Sequence, residues 1–269
     1  MTIRSELRDD GIRLVTMDQP PVNALTVRGW FNLAEALDEA GADPATKVVV
    51  LRADGKGFNA GVDIKEMQNT TGFDALIGAN KGCFAAFKAV YECAVPVIAA
   101  VHGFCLGGGV GLVGNSDVVV ASDDAYFGVP EVNQGALGAA THLARLVPQH
   151  LMRTLYFTAR TIPAADLVQH GSVYAVAPRD ELDDLAIGLA GEIAAKDTRV
   201  IRAAKEALNG IDPVDVNTSY RFEQGFTMEL NLMGVSDELR DDFAGTAKSG
   251  QSAGTAKSRQ SAGADQATT

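Results

Sequence analysis

Two stretches of the sequence offer backbone where chemistry would ordinarily use side chains. "FCLGGGVGLVG" (104–114) has glycine at 107, 108, 109, 111 and 114 and carries no charge. Glycine inside a regular element costs about 0.5–1 kcal/mol relative to alanine, so five in eleven residues imply something that must come close to the chain. "GKGFNAGVDIKEM" (55–67) is likewise bare at Ala60 and Gly61, and Asp63 suits the first turn of a helix. Backbone N–H groups at two such helix starts can converge on a developing negative charge, as an oxyanion hole does. Tight turn packing is the plainer reading of either stretch alone.

Both stretches follow buried strands. "IRLVTMD" (12–18), "KVVVLRAD" (47–54), "PVIAAVHGF" (96–104), "DVVVAS" (117–122) and "SVYAVAP" (172–178) read as strands. Helical spacing marks 28–43, where Trp30, Leu33, Ala34 and Leu37 share one face, and also 74–93, 139–159, 181–196 and 198–209. Strands alternating with helices predict an α/β fold, with a helical region after about residue 195. Gly109, Gly111 and Gly114 also spell GxGxxG, the dinucleotide fingerprint. That motif must open a crossover helix, with an acid about 20 residues on. The next strand begins near Asp117, so the oxidoreductase reading fails.

The 269 residues are 46% apolar and 21% charged, enough for a large core. A net charge of −11 argues against a nucleic-acid surface but leaves small anionic ligands open. Three cysteines, with no CxxC pair, a polar N-terminus without a signal pattern and no membrane-length apolar run predict a cytoplasmic protein. In the tail, "AGTAKSGQS" (244–252) recurs as "AGTAKSRQS" (253–261), and this low-complexity stretch, 244–269, is expected to be disordered.

Taken in order, "FNAGVDIKEM", "VPVIAAVHGFCLGGGVGL", "SDVVVAS" and "FGVPEV" resemble the crotonase (enoyl-CoA hydratase/isomerase) superfamily from about residue 5 to 243. The resemblance implies an α/β spiral of ββα repeats over 1–195 and a helical trimerisation region over 196–243. It also implies a homotrimer or homohexamer acting on an acyl-CoA thioester, with no metal and no cofactor beyond the coenzyme A of the substrate. Carried over to this sequence, the amides of Val62 and Gly108 would hold the thioester oxygen. Ala24, Ala60, Asp63 and Ile64 would cradle coenzyme A. Lys65 would meet a phosphate of coenzyme A, although it reads equally well as an exposed helix lysine.

The family's hydratases use two glutamates. The first position is Gly111 here, so that acid is missing, while the second is Glu131. His142 stands where the family usually has glutamine; it could activate water, or it could be an ordinary helix histidine. The loop 135–146 is shorter than is typical of the family. Within the superfamily the chain looks like the branch that hydrolytically opens a ring of a bicyclic CoA thioester in steroid breakdown. The alternatives are an enoyl-CoA hydratase or isomerase using Glu131 alone, and a catalytically silent acyl-CoA binder.

Overall fold

Period-two alternation divides the strands between two cores. Val49, Leu51, Val97, Ala99 and Val119 point to one face of the sheet, and Val48, Val50, Ile98, Ala100 and Val120 to the other. The structure, a computed structural model, describes residues 3–240. The tail 244–269 lies outside the described residues.

The chain begins with β1 (Ile3–Leu7), β2 (Ile12–Met17), α1 (Val27–Ala42) and β3 (Val48–Ala53). It continues through α2 (Ile64–Gln68), α3 (Asp74–Tyr91), β4 (Val97–Val101), β5 (Phe104–Leu106), α4 (Gly108–Asn115), β6 (Val118–Ser122) and β7 (Tyr126–Gly128). Then come α5 (Ala140–Leu143), α6 (Gln149–Thr158), β8 (Thr161–Pro163), α7 (Ala164–Gln169) and β9 (Ala175–Ala177). The last elements are α8 (Leu182–Ala194), α9 (Thr198–Gly210) and α10 (Val216–Leu232).

The larger sheet runs β1-β2-β3-β4-β6-β9 and is parallel throughout except for the antiparallel edge pair β1–β2. A smaller sheet, β5-β7-β8, stands beside it. One face of the larger sheet is sealed by α8 through Leu182, Ala186, Ala190 and Ala194. The other packs on the side that holds α1 and α3, where Trp30, Leu33, Leu37 and Phe87 are buried. At the start of α1, the Thr26 side chain accepts from the Gly29 N–H at 3.1 Å, a standard N-terminal cap.

The α/β expectation holds, with two local departures. The small sheet was not foreseen, because three-residue strands carry too little periodicity to read. The stretch 139–159 is not one helix, since Pro148 separates α5 from α6 by removing a backbone donor and disfavouring helix just before it. The GxGxxG glycines lie inside the short helix α4, with no long crossover helix after them, in line with the rejection of the dinucleotide fingerprint. The segments leaving β3 and β4 at their carboxyl ends come together, the usual place for a ligand in a parallel sheet.

Candidate active site

Two buried asparagines shape the loop after β3. The Asn23 side chain donates to the carbonyls of Asp54 (2.7 Å) and Gly57 (2.9 Å). Asn59 donates to the Asn23 carbonyl at 2.6 Å and accepts from the Gly61 N–H at 2.8 Å. Leu25 then bridges Val62 in parallel fashion: its N–H donates to the Gly61 carbonyl, and its carbonyl accepts from the Asp63 N–H, both at 2.9 Å. In such a bridge the N–H of Val62 points away from Leu25. It makes no hydrogen bond among the described residues.

The second segment enters α4 through Gly107, whose φ of 53° and ψ of −113° suit only glycine. Gly108 is the first residue of α4, so its N–H has no partner within the helix. A Cβ on Gly61 would lie 3.3 Å from the Gly108 nitrogen, so the two backbone segments touch with no side chain between them. A Cβ on Gly108 would strike the Trp30 ring at 2.7 Å, which keeps this position bare.

Glu131 opens a short 3-10 turn after β7 and meets this pair of segments. A Cβ on Gly107 would collide with the Glu131 carboxylate, so that glycine makes the room the acid occupies. Oε2 of Glu131 is sealed from solvent and lacks a hydrogen-bond partner among the described residues. Burial, with a smaller push from the nearby Glu223, raises its carboxyl to about 8. A carboxyl that exchanges its proton near neutrality, beside two free amides, is equipped for general acid–base work on a carbonyl compound.

One cavity is lined by Val62, Gly108 and Glu131 together, with Ala60 and Ile64 on the same wall. Residues 136–139 also line the cavity and are fixed by α10. Thr227 Oγ1 donates to the Leu137 carbonyl at 2.6 Å and accepts from the Leu137 N–H at 2.9 Å. Glu223 accepts from the N–H groups of Ala140 (3.0 Å) and Thr141 (2.7 Å), capping α5 across the interhelical gap.

The remaining sequence candidates stand elsewhere. Ala24 is not among the residues lining the cavity. Asp63 caps α2, accepting from the Lys65 N–H at 2.9 Å, and Lys65 itself is exposed.

Of the two roles the sequence leaves open for His142, its surroundings favour packing over water activation. It is 1% exposed, does not line the cavity, and packs against the Phe87 and Tyr220 rings with centroids 4.9 and 5.1 Å away. Its Nδ1 is buried without a partner among the described residues, and burial lowers its pKa to about 3. A ring held neutral in the fold but charged when unfolded contributes stability above about pH 6.5. That contribution is lost as pH falls toward 3. His142→Leu is therefore expected to flatten the acid limb of the stability profile, read by thermal melts across about pH 3 to 7. An unchanged limb would show that His142 titrates normally.

The enoyl-CoA hydratase/isomerase family matches the chain over residues 8–231. This chain belongs to that family. A member from Rhodococcus jostii (strain RHA1), named (7aS)-7a-methyl-1,5-dioxo-2,3,5,6,7,7a-hexahydro-1H-indene-carboxyl-CoA hydrolase, is 68% identical over 248 residues, 92% of this chain and 96% of its own length. A protein of the same name from Mycobacterium tuberculosis (strain ATCC 25618 / H37Rv) is also 68% identical, over 243 residues, 90% of this chain and 98% of the relative. Among solved structures, an enoyl-CoA hydratase/isomerase from Xanthobacter autotrophicus Py2 superposes with a TM-score of 0.79 at 28% identity, covering 86% of this chain and 87% of that one.

The spiral α/β expectation is thus met by the crotonase fold of these neighbours. In this crotonase-family chain the missing first acid has a steric reason: a Cβ at Gly111 would fall inside the Phe87 ring. Sequence reading missed the asparagines that set the loop, and it missed Asn80, Gln134, Thr227 and Arg240 on the cavity wall. Asn59 sits inside the FNAG stretch but carries no signal of its loop-setting role, whereas Asn80 and Thr227 reach the cavity only because the fold brings α3 and α10 to it.

Among the described residues no group of three or more His, Cys, Asp and Glu is placed to hold a metal ion, and no helix is long and apolar enough to cross a membrane.

Proposed function

We propose that this chain hydrolyses a bicyclic CoA thioester of the kind named for its relatives, opening the ring that carries the C1 ketone. The observation that carries the reading is the junction at Gly107, where one raised-pKa carboxyl abuts the start of α4 and the Val62 and Gly108 amides. The 68% identity to two hydrolases of that name supports the substrate class.

The relative's name supplies the ring skeleton from which the proposed steps are written. C1 is a ketone bonded to the methyl-bearing C7a, and the hydrogenation pattern leaves a C3a=C4 double bond conjugated with the C5 ketone. Placing the thioester on C4 extends that conjugation to its oxygen. Glu131, as carboxylate, takes a proton from water while the water oxygen bonds to C1. The resulting alkoxide collapses to a carboxylic acid and the C1–C7a bond breaks. Its electron pair passes through C3a=C4 to the thioester oxygen, which the Val62 and Gly108 amides stabilise. C7a then receives the proton from Glu131, and the new acid ionises. One water is consumed and nothing is oxidised or reduced. A single carboxyl suffices because it first accepts and later returns the same proton. Coenzyme A enters as part of the substrate, past Ala60 and Ile64, and no further cofactor takes part.

The test is mass spectrometry of the product after incubation with the bicyclic thioester in ¹⁸O-water, with crotonyl-CoA in parallel. A ring-opened acid carrying one ¹⁸O supports the reading. Hydrated crotonyl-CoA with the bicycle intact would replace it with a hydratase. The protein works in this reading as a cytoplasmic homotrimer or homohexamer, supported by exposed apolar side chains on α6 and in and just after α10: Phe157, Phe222, Phe226, Leu232 and Met233. Light scattering should therefore return three or six times the chain mass of 28.2 kDa, and a monomer would refute it.

A further inference from the structure

Arg240 is the single cation among the described residues lining the cavity. Its side chain is 12% exposed, far less than is usual for arginine. It follows α10 and, like Met67 of α2 and Leu76 of α3, lines both the cavity and an outer groove, which Asn231 and Asp237 also line. Nη2 donates to Asn231 Oδ1 at 2.9 Å and to Asp237, whose side chain is 74% exposed. Those two acceptors orient the guanidinium and use only one of its nitrogens. Nε and Nη1 have no acceptor among the described residues, and neither is sealed from solvent. The cavity therefore has two poles that receive negative charge, the Val62 and Gly108 amides at one wall and Arg240 at another.

Hydrolytic ring opening creates negative charge at two places. The thioester oxygen carries it transiently, and C1 carries it first as an alkoxide and finally as a carboxylate. The amides account for the first. From the unused donors of a poorly exposed arginine, we infer that Arg240 receives the second, contacting the C1 oxygen as water adds and holding the carboxylate that results. This rests on the hydrolase reading above. The planar fork of arginine matches a carboxylate with two parallel hydrogen bonds, which the point charge of lysine cannot reproduce. Asp237 is largely in solvent, so its compensation of the cation is screened by water.

The inference also fixes a specificity. The cavity should select, among CoA thioesters with the same ring, those bearing an anionic or strongly polar arm at the position of C1. Crotonyl-CoA has no such arm and should gain nothing from Arg240.

The experiment is calorimetric titration of the full-length protein with two synthetic cyclohexene-1-carboxyl-CoA thioesters. One carries a 2-carboxyethyl arm, and the other carries the same arm as its neutral, isosteric primary amide. Free coenzyme A is the third ligand. The wild type is expected to bind the acid roughly 10- to 100-fold more tightly than the amide, the range of one charge-assisted contact. Arg240→Met should erase that preference while leaving the amide and free coenzyme A unmoved, and Arg240→Lys should keep part of it.

No preference in the wild type overturns the inference whether or not a variant folds. So does an equal loss for acid and amide in Arg240→Met, which is the signature of a structural role. A loss for free coenzyme A as large as that for the acid would place Arg240 on a phosphate instead. Turnover of the bicycle by the wild type is read separately. Its absence would overturn the hydrolase reading, whereas the acid preference stands or falls on the titrations alone.

Discussion

Glu131→Gln is expected to lower turnover of the bicyclic thioester by about 10²–10⁴-fold, the range for one positioned acid–base group. Glutamine keeps the shape of the side chain against Gly107 but cannot accept the proton of water. The pH profile separates this role from a structural one. The carboxyl sits near 8, so the unprotonated base grows with pH up to about that value. The wild type's kcat/KM should rise about tenfold per pH unit and level off above 8, while the residual activity of the variant should be flat. Stability should move the opposite way. The fold holds the Glu131 proton between the ordinary 4.5 and about 8, where the unfolded chain has released it. The stability so lent is complete below 4.5 and is lost as pH rises to about 8. The melting temperature of Glu131→Gln should thus gain on the wild type across that window and stay level beyond it. Parallel melting curves at all pH values would mean that Glu131 titrates as an exposed acid.

Gly111→Glu, the substitution that would restore the hydratase pair of acids, is expected to unfold the protein rather than create a hydratase. The first atom of any side chain at 111 meets the Phe87 ring, which is itself packed by Trp30 (centroids 5.7 Å apart) and Tyr220 (5.1 Å). Phe87 therefore has nowhere to swing. Overpacking costs about 1–3 kcal/mol, and an unpaired carboxylate in this apolar cluster adds its desolvation. A loss of more than about 4 kcal/mol is expected, a large part of ordinary domain stability. Urea denaturation reads it directly. Phe87→Ala combined with Gly111→Glu should recover part of the loss if the clash is the cause. No recovery would place the damage elsewhere.

The segments that build the oxyanion pair were readable because glycine and alanine mark bare backbone in one dimension. "FNAG" and "GGGVG" lie next to the strands that position them, so order along the chain nearly equals order in space. The wall that α10 fixes was not readable. Thr227 and Arg240 follow Glu131 by about a hundred residues, and their side chains reach the cavity only because α10 folds back over 136–139. The sequence left the role of His142 open for a related reason. Its residue type suggests proton transfer, yet Phe87 and Tyr220 stand between it and the cavity, and nothing local in "GAATHLARL" discloses them. Gly111 was legible as a missing acid but not as a position where an acid cannot fit.

Trp30 is the only tryptophan in the chain, and its ring lies directly beneath Gly108. The protein therefore carries its one indole, which can be excited selectively over its five tyrosines at the red edge of their absorption, one van der Waals layer from the atom that would hold the thioester oxygen. Ligand entry, loss of the α4 start or collapse of the Phe87 cluster would each alter its emission. Site assembly can thus be followed optically in the unlabelled protein, without waiting for turnover.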